Sequence, residues 1–124
     1  MTALIIEATD ETPQINLDPA TNYLSFSGKS LPEDVRSFYT PVLKWIDEFI
    51  STRRDNTVVE FKMDYFNTAS SKIILDILLK FEQIHLDGYG LLVKWVFKSN
   101  DLDMREAGDE YAEIVEVPFE YIPY

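Results

Sequence analysis

A group of hydroxyl side chains is the part of the sequence best placed to do chemistry. The group lies between Asp64 and Lys72, and the apolar run from Ile73 to Leu79 follows it directly. In full, the segment reads Asp64-Tyr65-Phe66-Asn67-Thr68-Ala69-Ser70-Ser71-Lys72. The pattern predicts that a strand ends and a helix begins here, and a helix N-terminus offers unpaired backbone amides and the positive end of the helix dipole. A phosphate added to one of these hydroxyls would therefore be stabilised electrostatically.

Thr68 is the candidate phosphorylation site in this segment. Lys72 lies four residues further on, on the same face of the predicted helix, where its ammonium group can pair with a phosphate on Thr68. Asn67, directly before Thr68, is the second residue expected to support the phosphate. The plainer alternative is that Thr68 is an ordinary capping or first-turn residue.

The predicted helix has two distinct faces when its residues are placed at about 3.6 per turn. The face expected to pack on a sheet comprises Ser70, Ile73, Ile74, Ile77, Leu78, Phe81 and Ile84. The opposite face comprises Thr68, Lys72, Leu75, Leu79, Glu82 and Leu86. Two interpretations of the outward leucines stay open. They pack on the helix predicted over Val35 to Ile50, or they form with Glu82 a partner-binding stripe headed by Thr68.

A hairpin is predicted near the start of the chain. Apolar and polar residues alternate over Gln14 to Asp18 and over Tyr23 to Ser27, and the turn-forming stretch from Asp18 to Asn22 separates the two runs. The segment from Ala3 to Glu7 is expected to add an edge strand ahead of this hairpin.

An amphipathic helix is predicted after the hairpin. From Glu33 to Ile50 the apolar residues recur at three and four positions. Its start is marked by Pro32 and by acidic residues expected in the first turn. Pro41 lies inside the stripe and removes one helical hydrogen bond, so we expect either a kink there or a break with Thr40 capping a second helix.

The remaining elements form a strand-helix-strand crossover, a helix and a closing strand. Thr57 to Asp64 and Leu91 to Phe97 alternate as strands, and the helix from about Asn67 to Leu86 joins them as a right-handed βαβ unit with parallel strands. A further helix is expected from about Asp101 to Ala112, followed by a strand from Val115 to Tyr121. Together the elements predict one α/β (α+β) sandwich domain over residues 1–124, with a mixed sheet and the helices mainly on one face.

Charge and composition exclude several classes of function. The 22 acidic residues exceed the 11 basic ones, which gives a net charge of −11 that repels nucleic acid and anionic membrane lipid. There is no cysteine and one histidine, so disulfides are excluded and the usual zinc ligands are lacking. No glycine-rich phosphate loop is present, and no cofactor is expected. The apolar runs are too short to span a membrane and the start is not signal-like, which favours a cytoplasmic protein.

Catalysis and metal binding find little support in the residues. His85 lies near the end of the long helix without a nucleophile to activate, so a structural or solvent-facing role is favoured. The acidic stretch that starts at Asp101 lacks the spacing of a calcium loop, because Arg105 and Glu106 occupy its fifth and sixth positions. We therefore expect a solvated helix face, no metal site and no catalytic activity. A small acidic metal-dependent enzyme is the alternative from another functional class.

Two segments of the chain resemble a known family. They are Phe38-Tyr39-Thr40-Pro41-Val42-Leu43-Lys44-Trp45-Ile46 and Asp64-Tyr65-Phe66-Asn67-Thr68-Ala69-Ser70-Ser71-Lys72. Both are similar to the SiaC family of bacterial regulatory phosphoproteins, and the similarity extends over essentially the whole chain. This family is distantly similar to anti-sigma-factor antagonists of the STAS type. The resemblance implies a STAS-like fold in which a hydroxyl at the start of a helix, after a central strand, is phosphorylated.

The resemblance also implies a function and partners. It makes Thr68 the phosphoacceptor, modified by a cognate Ser/Thr kinase (SiaB-like) and restored by a PP2C-like phosphatase (SiaA-like). The unmodified form is expected to bind and stimulate a diguanylate cyclase, and so to control cyclic di-GMP output and biofilm behaviour. A true anti-sigma-factor antagonist, which binds an anti-sigma kinase instead, is the alternative within the same class.

Overall fold

Residues 1–52 and 55–124 are described by the computed structural model of the chain. They form six strands and three helices. The strands are β1 Leu4–Ile6, β2 Gln14–Leu17, β3 Tyr23–Ser30, β4 Thr57–Phe66, β5 Leu91–Phe97 and β6 Phe119–Pro123, and the helices are α1 Val35–Thr52, α2 Thr68–Leu86 and α3 Leu102–Ile114. Within these two ranges, no helix combines the length and apolar character needed to cross a membrane.

All six strands lie in one mixed sheet, in the order β1-β2-β3-β4-β5-β6. β1, β2 and β3 pair antiparallel, which confirms the predicted hairpin and edge strand. β3, β4, β5 and β6 pair parallel with one helix in each connection, so the predicted crossover through α2 is the middle one of three. Right-handed crossovers that step in one direction across a sheet place their helices on the same face. The three helices therefore cover one face of the sheet, and the expected α/β architecture is confirmed.

The core lies between that face of the sheet and the helices. One row across the sheet carries Ile15, Phe26, Phe61, Trp95 and Tyr121 in register. The rings of Phe26 and Phe61 stack with their centroids 4.9 Å apart. α3 approaches Trp95 closely because Gly108 has no side chain, since a Cβ at that position would lie 2.7 Å from the indole Cδ1. The side chains of this row thus fix how near the helices come to the sheet.

The first helix differs from the prediction at its start and at Pro41. α1 begins at Val35, and Asp34 caps it, with its Oδ1 accepting from the Ser37 amide at 3.1 Å. Hydrogen bonds from Ser37 hold the pKa of the Asp34 carboxyl below its usual value. α1 then continues without interruption to Thr52, so the break considered at Pro41 is wrong. The bond that Pro41 cannot donate would have ended on the carbonyl of Ser37, an exposed residue, where water can replace it.

The end of the chain differs at the boundary between its helix and its strand. α3 extends to Ile114, slightly beyond the predicted end at Ala112, and β6 begins at Phe119 rather than at Val115. Val115 is buried, but as the residue that ends α3, with its amide donating to the carbonyl of Tyr111 at 3.0 Å. The alternation of apolar residues that begins at Val115 therefore predicts a strand four residues before β6 starts.

Candidate functional site

α2 begins directly after the central strand β4, as the sequence predicts. Asn67 caps it with an extended backbone (φ −82°, ψ 177°), and its side-chain Oδ1 accepts a hydrogen bond from the Ser70 amide at 2.9 Å. The backbone carbonyl of Asn67 accepts from the Ser71 amide, also at 2.9 Å. Asn67 therefore fixes the first turn of α2. A phosphate accepts hydrogen bonds, so direct support from Asn67 would come from its side-chain Nδ2 and not from the Oδ1 that caps the helix.

Thr68 is the first residue of α2, and its side chain is exposed. The amides of Thr68 and Ala69 have no acceptor within residues 1–52 and 55–124, so both are available at this end of the helix. Lys72 is exposed as well, and within the same ranges its ammonium group forms no hydrogen bond or ion pair. A hydroxyl, two backbone donors and a cation thus lie together at the solvent side of one helical turn.

A chain of buried hydroxyl groups holds this turn against the rest of the protein. Ser70 is fully buried, and its Oγ accepts from Ser30 Oγ at 2.8 Å, while Ser30 Oγ lies 2.6 Å from the hydroxyl oxygen of Tyr39. We call Ser30, Tyr39 and Ser70 the hydroxyl chain. The carbonyl of Ser30 also accepts from the Asn67 amide at 3.1 Å. Burial raises the pKa of the Tyr39 hydroxyl.

A second tyrosine ties the same turn to α3. The hydroxyl of Tyr111 donates to the carbonyl of Ser71 at 2.8 Å, and burial raises the pKa of this hydroxyl. The ring of Tyr111 packs edge-on against Trp95, with the centroids 5.6 Å apart. Sequence reasoning missed both tyrosines, because no local pattern indicates which distant residues meet the first turn of α2. The inward direction predicted for Ser70 is confirmed.

The outward face of α2 is not one continuous stripe of free side chains. Leu79 is 42% exposed and Leu86 is 55% exposed, so the interpretation that these two pack away against α1 is wrong. Leu75 is half-buried against the core. The carboxylate Oε2 of Glu82 accepts from the Glu116 amide at 2.6 Å, which gives Glu82 a contact within the protein. A role of these four α2 residues in binding a partner stays a prediction.

α1 contacts a different flank of α2. Lys80 Nζ lies 2.6 Å from Asp47 Oδ1, and the rings of Phe81 and Phe49 meet edge-on with centroids 6.4 Å apart. The side of α2 that points away from the sheet carries exposed side chains, four of which belong to the outward face predicted from the sequence. We call these four residues, Thr68, Lys72, Leu79 and Leu86, the α2 outer face.

A cleft opens beside the first turn of α2, between the end of β4 and the first turn of α3. Its volume is about 320 Å³, and it is lined by Asp64, Tyr65, Phe66, Asp101, Asp103, Met104 and Ala107. No sequence pattern indicates this cleft, because its walls come from segments far apart in the chain. Within the described ranges, no group of three His, Cys, Asp or Glu side chains is arranged to hold a metal ion. His85 is exposed in the last turn of α2.

Truncation of Leu79 and of Ile77 tests whether the outer face contributes to the core. Ile77 is fully buried, so Ile77→Ala should lower the free energy of unfolding by roughly 2–5 kcal/mol. Leu79→Ala removes an exposed side chain and should lower it by about 0.5 kcal/mol. Urea denaturation followed by circular dichroism gives both values. An equal loss in the two variants would show that Leu79 belongs to the core.

Substitution of Asn67 tests the cap of α2. Asn67→Ala should lower the free energy of unfolding by about 1 kcal/mol, because the Ser70 amide loses its acceptor. Asn67→Asp keeps an acceptor and places a negative charge at the helix N-terminus, so its stability should stay close to that of the wild type. Chemical denaturation at neutral pH compares the three proteins. A loss in Asn67→Asp as large as that in Asn67→Ala would contradict the capping role.

Comparison with known proteins identifies the family of this chain. A sequence model of the SiaC family regulatory phosphoproteins matches residues 6–124. An uncharacterised protein of Pseudomonas aeruginosa strain UCBPP-PA14 is 29% identical over 119 residues, which is 96% of this chain and 94% of that protein.

Solved structures are similar in both sequence and fold. Apo-SiaC from Pseudomonas aeruginosa aligns with a TM-score of 0.88 and 27% identity, over 98% of this chain and 99% of that chain. A chain in the crystal structure of the diguanylate cyclase SiaD in complex with its activator SiaC, from the same organism, aligns with a TM-score of 0.92, 27% identity and the same coverage. Because the family model covers nearly all of the sequence, the chain belongs to the SiaC family of regulatory phosphoproteins.

Proposed function

We propose that the protein is a phosphorylation-controlled partner switch. Its unphosphorylated form binds and stimulates a diguanylate cyclase, and phosphorylation of Thr68 blocks that binding. The observation that carries this proposal is the position of Thr68, which is exposed at the head of α2 and shares the outer face with Leu79 and Leu86. The likeness to the complex of SiaC with SiaD supports a cyclase as the partner. In this role the chain regulates one enzyme and is a substrate of others, without catalysing a reaction itself.

The proposed cycle has two covalent steps. A cognate Ser/Thr kinase transfers the γ-phosphoryl group of ATP to the Thr68 hydroxyl, which forms a phosphate ester and releases ADP and a proton. A phosphatase of the PP2C class hydrolyses that ester with water and releases inorganic phosphate, which restores the binding form. Both enzymes need an accessible side chain, and Thr68 is exposed whereas Ser70 is fully buried.

Desolvation explains why a phosphate at this position blocks an apolar partner. The modification adds about two negative charges at neutral pH. A partner that covers the whole α2 outer face, from Thr68 to Leu86, would have to remove water from those charges, at a cost of several kcal/mol per unpaired ion. Burial of one leucine contributes only about 1.5–3 kcal/mol. One phosphate is therefore enough to offset the gain from the two leucines.

The fold itself can accept the same phosphate. The free amides of Thr68 and Ala69 and the ammonium group of Lys72 can donate to its oxygens, and the helix dipole has its positive end there. The hydroxyl chain and Tyr111 hold the first turn of α2 through contacts with β3, α1 and α3, on the side away from the phosphate. Phosphorylation thus acts by local blocking of the outer face, without rearrangement of the domain.

Thr68→Ala should escape phosphorylation and stay bound to the cyclase when kinase and ATP are present. Intact-mass measurement and cyclase activity, followed in the same reaction, report the two effects. Thr68→Ser keeps a hydroxyl and is the matched control, which should still be phosphorylated and released from the cyclase. Phosphate on Ser70 or Ser71 in the Thr68→Ala variant would contradict Thr68 as the regulatory site.

Lys72→Ala should destabilise the phosphorylated form selectively. The lost pairing of the ammonium group with the phosphate should lower the free energy of unfolding of that form by up to about 1 kcal/mol, with no matching loss in the unmodified form. Lys44→Ala, which removes an exposed lysine of α1, is the matched control and should affect both forms alike. Thermal melts of the two forms measure the difference. An equal loss in both forms of Lys72→Ala would remove Lys72 from the mechanism.

A further inference from the structure

The cleft near the start of α2 combines an apolar floor with one exposed aromatic side chain, and a second exposed apolar side chain lies next to it. Phe66 and Met104 contribute to the floor, and Met104 is only 7% exposed. Tyr65 lines the cleft and is 51% exposed, while Leu102, which lies in the first turn of α3 between the lining residues Asp101 and Asp103, lines an adjoining depression and is 70% exposed. Met104 already fills the core position of this turn, so the fold does not need Leu102. The two exposed side chains are therefore available to a partner.

The rim of the cleft is negatively charged. Asp64 ends one wall, and Asp101 and Asp103 belong to the start of α3 on the other. Asp101 caps α3, with its Oδ1 accepting from the Met104 amide at 3.0 Å, while Asp64 and Asp103 are exposed. An apolar floor under a carboxylate rim complements an apolar side chain that is flanked by lysine or arginine.

The sign of the charge decides which partner this cleft fits. A phosphate on Thr68, two positions after Phe66, adds to the negative charge of the rim and strengthens the attraction of a cationic surface. The cyclase has to lose affinity when Thr68 is phosphorylated, and the kinase has to release its phosphorylated product. The phosphatase, in contrast, has to bind the phosphorylated form. Of the three partners, only the phosphatase gains from a cationic surface at this position.

We infer that this cleft is the docking site of the phosphatase that acts on Thr68, and that it receives an apolar side chain flanked by lysine or arginine. The inference rests on the proposed function and divides the surface between two partners. The cyclase uses the α2 outer face, where Leu79 and Leu86 are exposed. The phosphatase uses the neighbouring cleft, with the exposed Tyr65, and the adjoining exposed Leu102.

The test follows the dephosphorylation of the full-length protein carrying phosphate on Thr68. Tyr65→Ala and Leu102→Ala should each raise KM about tenfold and leave kcat nearly unchanged, because a docking contact is equally strong before and in the transition state. Ile114→Ala is the matched control, since Ile114 is 57% exposed at the opposite end of α3, and its KM should equal that of the wild type. All three are surface truncations, and melting curves verify that each variant is folded.

A separate measurement tests the role of the negative charge of the rim. KM of the wild-type substrate should rise with ionic strength, because salt screens the attraction between the rim and the cationic partner. The double variant Asp64→Asn with Asp103→Asn removes two exposed carboxylates and leaves the cap at Asp101 in place. It should raise KM at low salt and flatten the dependence of KM on salt. An unchanged salt dependence would overturn the charge assignment and the inference with it.

Three further outcomes would be decisive. An unchanged KM for Tyr65→Ala and Leu102→Ala, while the wild type binds the cyclase only when unphosphorylated, would overturn the inference and leave the proposed function intact. Lower cyclase affinity of these variants without a change in phosphatase KM would also overturn it, because the cleft would then belong to the cyclase surface. If the wild type still stimulates the cyclase when Thr68 is phosphorylated, the proposed function fails, and the inference fails with it.

Discussion

The geometry of the site depends on the hydroxyl chain of Ser30, Tyr39 and Ser70. A buried hydroxyl without a partner costs roughly 1–3 kcal/mol, so Ser70, which is fully buried, has to face Ser30. This requirement fixes the rotation of α2 about its own axis. Successive residues of a helix are about 100° apart, so Thr68 and Lys72, each two positions from Ser70, necessarily point away from the sheet. The exposure of Thr68 thus follows from a polar contact on the opposite side of the same turn.

The parallel half of the sheet brings the functional features to one edge. Each crossover helix starts just beyond the carboxyl end of a strand, so the N-termini of α2 and α3 lie along the same edge and their caps, Asn67 and Asp101, each satisfy a first-turn amide. Trp95 braces α3 there, with its Nε1 donating to the carbonyl of Met104 at 2.9 Å, and Tyr111 connects α3 to α2. The two helix starts are therefore held in a fixed relation, which is what allows one cleft to lie between them.

Hydrophobic periodicity was sufficient to predict the elements and the inward face of α2. Every residue predicted to face the sheet, from Ser70 to Ile84, is buried, because a single side of the helix has to cover the sheet. The same periodicity could not separate Leu75 and Glu82 from the exposed leucines, since their surroundings depend on the chain around α3. The hydroxyl chain and the bond of Tyr111 join residues forty positions apart, and contacts of that kind have no local signal. For the same reason the cleft could not be predicted. The residues that line it come from two segments far apart in the chain, and no local pattern indicates that these segments meet.

A phosphate that acts as a switch has to be stabilised by the fold and has to prevent the binding of one partner. A helix N-terminus can meet both requirements. In the proposed switch, a phosphate on Thr68 would meet free amides and Lys72 within the protein, but would lose its water to an apolar partner that covers the whole α2 outer face. A partner with cationic side chains responds to the same charge in the opposite direction. A change of about 1.4 kcal/mol alters an affinity tenfold, which is smaller than the cost of desolvating an unpaired phosphate. In the proposed switch, one modification can therefore release one partner and recruit the other without a change of fold, and the attraction weakens when the phosphate that strengthens it is hydrolysed.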